Sequence, residues 1–189
     1  MKKIPSVFCR NYEGDYLVRD EVVPGCEWVL AGEGAPTIKH DGTPHMVRAG
    51  ALFKRYDAKS GRTPPAGFEP CQDPDPETGH WPGWIPVIKG NPADRWAFEA
   101  IGEGAPVDGT YELCGPKING NPEKLAVHRL LRHGGWSLSE IHGPRTFTQI
   151  RSRLEHLAIE GIVWHHVDGR MAKIKRKDFG LAWPVAERF

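Results

Sequence analysis

The 189-residue chain has no hydrophobic run approaching the ~20 residues a membrane-spanning helix needs. Its first residues, MKKIPSVFCRNYEG, turn polar too early for a secretory leader. These two absences predict a cytoplasmic protein with no membrane partner. There is no C-x-x-C pair either. Cys9, Cys26, Cys71 and Cys114 are scattered, which argues against the usual zinc and dithiol spacings and predicts four reduced thiols. Charge of one sign is missing as well, with 25 Lys and Arg against 24 Asp and Glu, so no broad basic surface advertises nucleic acid. A local basic groove stays open, because footprint governs phosphate binding more than net charge does. The chain lacks internal repeats and low-complexity tails, and its length suits one domain, residues 1–189, able to bury a core.

What the chain has in quantity is glycine and proline, 22 and 17 residues, which favours turns and short strands over a helical bundle. Strand-like stretches are Tyr16–Val23, Thr37–Lys39, His45–Val47, Ala51–Arg55, Thr110–Cys114, Ile162–His166 and Met171–Lys175. Asp41-Gly42, Ala49-Gly50 and Asp168-Gly169 separate them as turns, and IVWHHVDGRMAKIK reads as a hairpin. In TFTQIRSRLEHLAIEG the residues Phe147, Ile150, Leu154 and Leu157 recur at helical spacing, with Gly161 placed to end the helix. A second helix is expected over Ala93–Ile101. Residues 59–92, rich in Pro, Gly and Asp, read as a long structureless loop. Antiparallel strands with few helices predict an α+β architecture.

The candidate chemistry starts in PTIKHDGT. A K-x-D-G match is weak alone, and an isolated lysine before a turn is ordinarily solvated. Residues downstream of Lys39-His40-Asp41-Gly42 strengthen the match: Arg55 closes ALFKRYD, Glu112 alternates against Tyr111 and Leu113, Glu160 precedes GIVWHH, and Lys173 and Lys175 share a strand face. Each suits adenylyl transfer. An amine attacks phosphorus only when neutral, although a lysine normally titrates near ~10.4, and neighbouring cations ease that deprotonation. Lys173 and Lys175 could do this while neutralising charge on the phosphates. The carboxylates of Glu112 and Glu160 suit Mg2+, or Mn2+ in its place, or a ribose hydroxyl, and the fork of Arg55 suits phosphate. The histidines 165 and 166 face opposite ways on a strand and read as structural. Arg176 and Lys177 read as surface or phosphate-backbone contacts.

With those motifs in order, the sequence resembles the covalent nucleotidyltransferases, the superfamily of ATP-dependent ligases and capping enzymes. The strings PTIKHDGT, GHWPGWIPV, ELCGPKINGNP, IEGIVWHHVDG and GLAWP resemble, more closely, a small family of ATP-dependent 5′–3′ RNA ligases of animals with prokaryotic and viral relatives. The likeness runs from about Pro36 to Pro184. It implies an adenylyltransferase fold of antiparallel sheets flanked by a few helices. The chain stops soon after GLAWP, which leaves no room for the separate oligonucleotide-binding (OB-fold) domain of DNA ligases and capping enzymes, so none is expected.

By the same resemblance, Lys39 would form a lysyl-N-AMP, with Ile38, Asp41, Gly42, Arg55, Glu112, Glu160, Lys173 and Lys175 contacting the nucleotide and Glu112 and Glu160 holding the metal. The expected partners are ATP, Mg2+ and RNA with 5′-phosphate and 3′-hydroxyl ends, acted on by a monomer in RNA repair. The adenine-stacking aromatic is not evident, and Trp136 is the candidate. The rivals are another covalent nucleotidyltransferase, such as a DNA ligase or an AMP transferase, and a catalytically idle RNA-binding module of the same fold.

Overall fold

The computed structural model describes residues 2–102, 106–138 and 143–186. Along the chain run β1 (Phe8–Arg10), β2 (Val18–Val22), α1 (Glu27–Leu30), β3 (Ala35–Lys39), β4 (Thr43–Arg48), β5 (Ala51–Ala58), β6 (Glu69–Pro70) and β7 (Trp81–Pro86). Next come α2 (Arg95–Ile101), β8 (Gly109–Cys114), β9 (Arg129–Arg132), α3 (Phe147–His156), β10 (Gly161–His165) and β11 (Met171–Lys175). The strands pair antiparallel throughout, in sheets ordered β1-β2, β11-β10-β3 and β6-β7-β5-β4-β8-β9. This is the α+β arrangement expected. The chain divides into two compact units, one of Met1–Lys3 with Asp41–His133 and one of Ile4–His40 with Gly134–Phe189.

The second of these holds the three-stranded sheet and α3. One sheet face is apolar: Ile162, Trp164, Ala172 and Ile174 are buried, and they form one core with Phe8, Ile150 and Leu154. Burying an aliphatic or aromatic side chain of this size contributes about 1.5–3 kcal/mol, which makes this face the main anchor of the sheet. Thr146 opens α3 with a capping box, its hydroxyl accepting from Gln149 N at 3.4 Å. The helix does not run on to Gly161. Leu157 turns extended, and Gly161 is the first residue of β10. The stop comes from Arg176, buried rather than displayed to solvent, which donates from Nη1 to the carbonyls of Leu154 and of Leu157, the latter at 2.8 Å. A cation on the last carbonyls of a helix complements both their unfilled hydrogen bonds and the dipole.

The first unit is built on the six-stranded sheet. Val47, Leu52, Tyr111 and Leu113 cover one of its faces and pack with Ala97 of α2. His45 is buried beside them, with Nδ1–H donating to Thr43 O at 2.9 Å. Burial pulls its pKa below 6.5, which outweighs the opposing pull of the Thr43 bond and the Glu112 carboxylate. The stretch read as a structureless loop contains β6 and β7, and β7 pairs with β5 over its whole length. Its prolines hid the strand. Val87 N–H donates to Leu52 O, and successive amide nitrogens alternate sides, so the nitrogens of Pro82 and Pro86 face away from β5. On that side β6 meets only Gly83 and Trp84, so the two missing N–H groups interrupt no ladder.

Arg176→Ala leaves buried carbonyls unfilled and is expected to destabilise the protein by about 1–3 kcal/mol, read as a lower urea midpoint. His45 is expected to titrate below 6.5 when followed by its ring NMR shifts. Because its native pKa lies below the unfolded one, the native state binds fewer protons there, and stability is lost as pH falls through 6.5. A His45 half-protonated at pH 6.5 would contradict this.

Candidate active site

Register brings the basic residues together. Lys39, Gly161 and Lys175 stand opposite one another across β3, β10 and β11, and Thr37, Val163 and Lys173 form a second rung two residues along. Side chains two apart share a face, so Lys39, Lys173 and Lys175 project together from the side opposite the apolar core. Gly161 stands between Lys39 and Lys175. A Cβ there would collide with the Ile174 carbonyl and lie 3.0 Å from Lys175 Cα.

Glu160 is one residue earlier, and its Oε2 pairs with Lys39 Nζ, which also donates to His40 O at 3.4 Å. The Glu160 carbonyl accepts from Arg176 N at 2.8 Å, so the arginine that ends α3 also fixes the start of β10. Lys173 is held on the other side: its N–H donates to Pro5 O and its carbonyl accepts from Val7 N, each at 2.9 Å. Asp178, paired with Arg10, accepts from Lys175 N at 2.8 Å. Burial holds the Lys173 pKa below 10.5, aided by the positive charges of Lys39 and Lys175 and opposed by Glu160 and Asp178.

Asp41 and Gly42 belong to the other unit, in a cradle formed by β8 and the loop after it. Gly42 N donates to Glu112 Oε1 at 3.1 Å, Asp41 N donates to Glu123 Oε1 at 2.9 Å, and Asn119 Nδ2 reaches Asp41 Oδ1 at 3.0 Å and Gly42 O at 2.9 Å. Gly42 is required by crowding: a Cβ would meet the Leu113 carbonyl, Cys114 Sγ at 2.7 Å and Glu112 Cγ at 2.9 Å. The second oxygen of Glu112 meets His133 Nε2 at 2.9 Å. Glu112 is buried, and its carboxylate positions the loop whatever else it binds.

Arg55, on β5, lies with its guanidinium 5.4 Å from the Trp84 ring centre and donates from Nη1 to Cys71 Sγ at 3.3 Å. By alternation it shares the Glu112 face of the six-stranded sheet, the one turned away from α2. Ile38, half-buried in β3, pairs with Ile162 and directly precedes Lys39. Trp136 is 52% exposed, and its carbonyl accepts from Ile38 N at 2.9 Å.

Sequence reasoning singled out neither Asn119, Glu123 nor His133. The string ELCGPKINGNPE carries the first two, and its unusual Asn-Gly-Asn content was the available signal: Asn119 and Asn121 both take left-handed backbone angles, φ 48° and 58°. No three His, Cys, Asp or Glu side chains cluster as a metal site among the described residues. Among those residues no helix is long and apolar enough to cross a membrane.

Comparisons with known proteins find similarity to proteins named RNA ligase 1. Residues 106–189 match the family model described as RNA ligase 1, a stretch that includes Glu112, Glu160, Lys173 and Lys175. RNA ligase 1 of Danio rerio is 34% identical over 148 residues, covering 60% of this chain and 45% of the relative. The Pongo abelii protein of that name is 32% identical over 146 residues, with coverage of 60% and 45%, and the Mus musculus one is 30% identical over 146, with 60% and 44%. The chain thus spans a little under half the length of these curated relatives.

Lys39→Met removes one neighbouring cation and frees Glu160, and both changes favour the Lys173 ammonium. In 13C-methylated protein, the Lys173 signal is expected to titrate below 10.5 and to move up in that variant. An unmoved titration would contradict the shared face.

Proposed function

We propose that the protein is an ATP-dependent RNA ligase, joining an RNA 5′-phosphate to a 3′-hydroxyl through an adenylate carried on Lys39. The observation that carries this reading is the pairing of Lys39 Nζ with Glu160 on a sheet face shared with Lys173 and Lys175. The relatives named RNA ligase 1 supply the substrate class.

Three displacements at phosphorus make up the reaction. Lys39 Nζ, having lost its proton, bonds to the α-phosphorus of ATP as the bond to pyrophosphate breaks. An oxygen of the RNA 5′-phosphate then takes the AMP from Lys39, leaving the amine free. Finally the RNA 3′-hydroxyl attacks the 5′-phosphorus, loses its proton and releases AMP. Glu160 orients the amine and receives its proton. Lys173 and Lys175 neutralise charge that grows on the phosphates.

Asp41, Gly42, Arg55 and Glu112 keep the nucleotide contacts that the resemblance assigns them, with Arg55 suited to a phosphate. Glu160 and Glu112 are the carboxylates for Mg2+, which supplies phosphate charge neutralisation when bound. The adenylyltransferase fold, the single-domain organisation and a cytoplasmic setting belong to the same reading.

The test is RNA sealing. With ATP and Mg2+, the wild type is expected to circularise a 5′-phosphorylated RNA and to leave the all-DNA strand untouched. Lys39→Ala should be inactive. Glu160→Ala and Lys173→Ala should lose on the order of a hundredfold while remaining folded. Sealing of DNA alone would favour the DNA ligase rival, and full activity in Lys39→Ala would overturn the reading.

A further inference from the structure

The loop between β8 and β9 is cationic on its outside. Residues 115–133 carry Lys117, Lys124, Arg129 and Arg132 against a single acid, Glu123, in a chain whose overall charge is +1. That acid is turned inward, accepting from Asp41 N at 2.9 Å. Lys117, Asn119, Gly120, Lys124 and Arg129 are exposed, so the loop shows solvent cations, amide and glycine backbone, and no exposed carboxylate.

Register fixes where this surface lies. Arg129 pairs with Cys114 and Leu131 with Glu112, so Arg129 stands on the Glu112 face, two residues along a neighbouring strand. Strand rise and spacing put its Cα about 8 Å from that of Glu112. The loop leaves β8 and returns to β9 at this same end, where Asn119 and Glu123 hold Asp41 and Gly42. Arg132, opposite Tyr111, faces the α2 side and the far end. β9 is an edge strand, and the side chains of Lys117 and Arg129 form no hydrogen bond or ion pair with a described residue. Elsewhere in this unit Arg48, also exposed, is taken up by Glu69 at 2.7 Å.

We infer that Lys117 of the β8–β9 loop and Arg129, the first residue of β9, bind the phosphate backbone of the RNA strand next to the Asp41–Gly42 cradle. This rests on the ligase reading for the identity of the polyanion. Arginine and lysine on an exposed edge with no carboxylate partner give up counterions, not ion pairs, when phosphate arrives, so the contact is salt-sensitive.

The experiment is fluorescence anisotropy of a labelled, 5′-phosphorylated single-stranded RNA against wild type, Lys117→Ala/Arg129→Ala and Arg132→Ala over a salt series. The double variant is expected to bind about tenfold more weakly, with a log–log salt slope shallower by about 1.4, since each lost single-strand phosphate contact removes ~0.7. Arg132→Ala, which removes a cation from the other face, is expected to stay within about twofold. Thermal melts and labelling by ATP alone should match wild type in both. Unchanged affinity and slope in the double variant, equal weakening in Arg132→Ala, or no RNA binding by wild type would each overturn the inference. Failure of ATP labelling in wild type would instead sink the ligase reading and leave the binding comparison standing.

Discussion

The contact between the Lys39 ammonium and the Glu160 carboxylate is the constraint on which the candidate site depends. Both groups are largely withdrawn from water, at 23% and 12% side-chain exposure, so neither tolerates losing the other without cost. Their meeting is set by backbone register. Gly161 stands directly across from Lys39, Glu160 precedes it, and the missing Cβ at 161 lets β11 approach close enough to bring Lys175 onto the same rung. Arg176 ties this corner to α3 by ending the helix and donating to three carbonyls, those of Leu154, Leu157 and Ala182. The face that carries Lys39, Lys173 and Lys175 is therefore maintained by apolar packing on the other.

A different logic holds Asp41 and Gly42. They lie two and three residues past Lys39 in the chain, yet they belong to the other compact unit. There they are fixed by polar groups rather than by burial of apolar surface. Backbone N–H groups are filled by Glu112 and Glu123, a carbonyl and a carboxylate by Asn119, and the space for a side chain at 42 is taken. The β8–β9 loop thus has an inner side that shapes the K-x-D-G turn and an outer side that is exposed at Lys117, Asn119 and Gly120.

Much of this was legible in the chain. Period-two alternation located β11 to the residue and placed Lys173 and Lys175 away from Ala172 and Ile174, both fully buried. Helical spacing found α3 because Ile150 and Leu154 face the core. Other features had no local signature. β7 was hidden by prolines whose nitrogens point off the ladder, a property of pairing and not of composition. Gly161 looks like a helix terminator, and only the carbonyl of Ile174 on the adjacent strand explains it. Arg176 looks like part of a basic surface run, because sequence cannot show that helix carbonyls converge on it. Asn119, Glu123 and His133 act on residues some twenty to eighty positions away, beyond the reach of spacing arguments.

The account turns on which atom accepts the adenylate. Incubation with ATP and Mg2+, digestion and tandem mass spectrometry locate any adenylyl group on the peptide chain. The account predicts one such group, on Nζ of Lys39, lost again when 5′-phosphorylated RNA is added. An adenylyl group on another side chain, or an unmodified Lys39 in protein that nevertheless seals RNA, would contradict it.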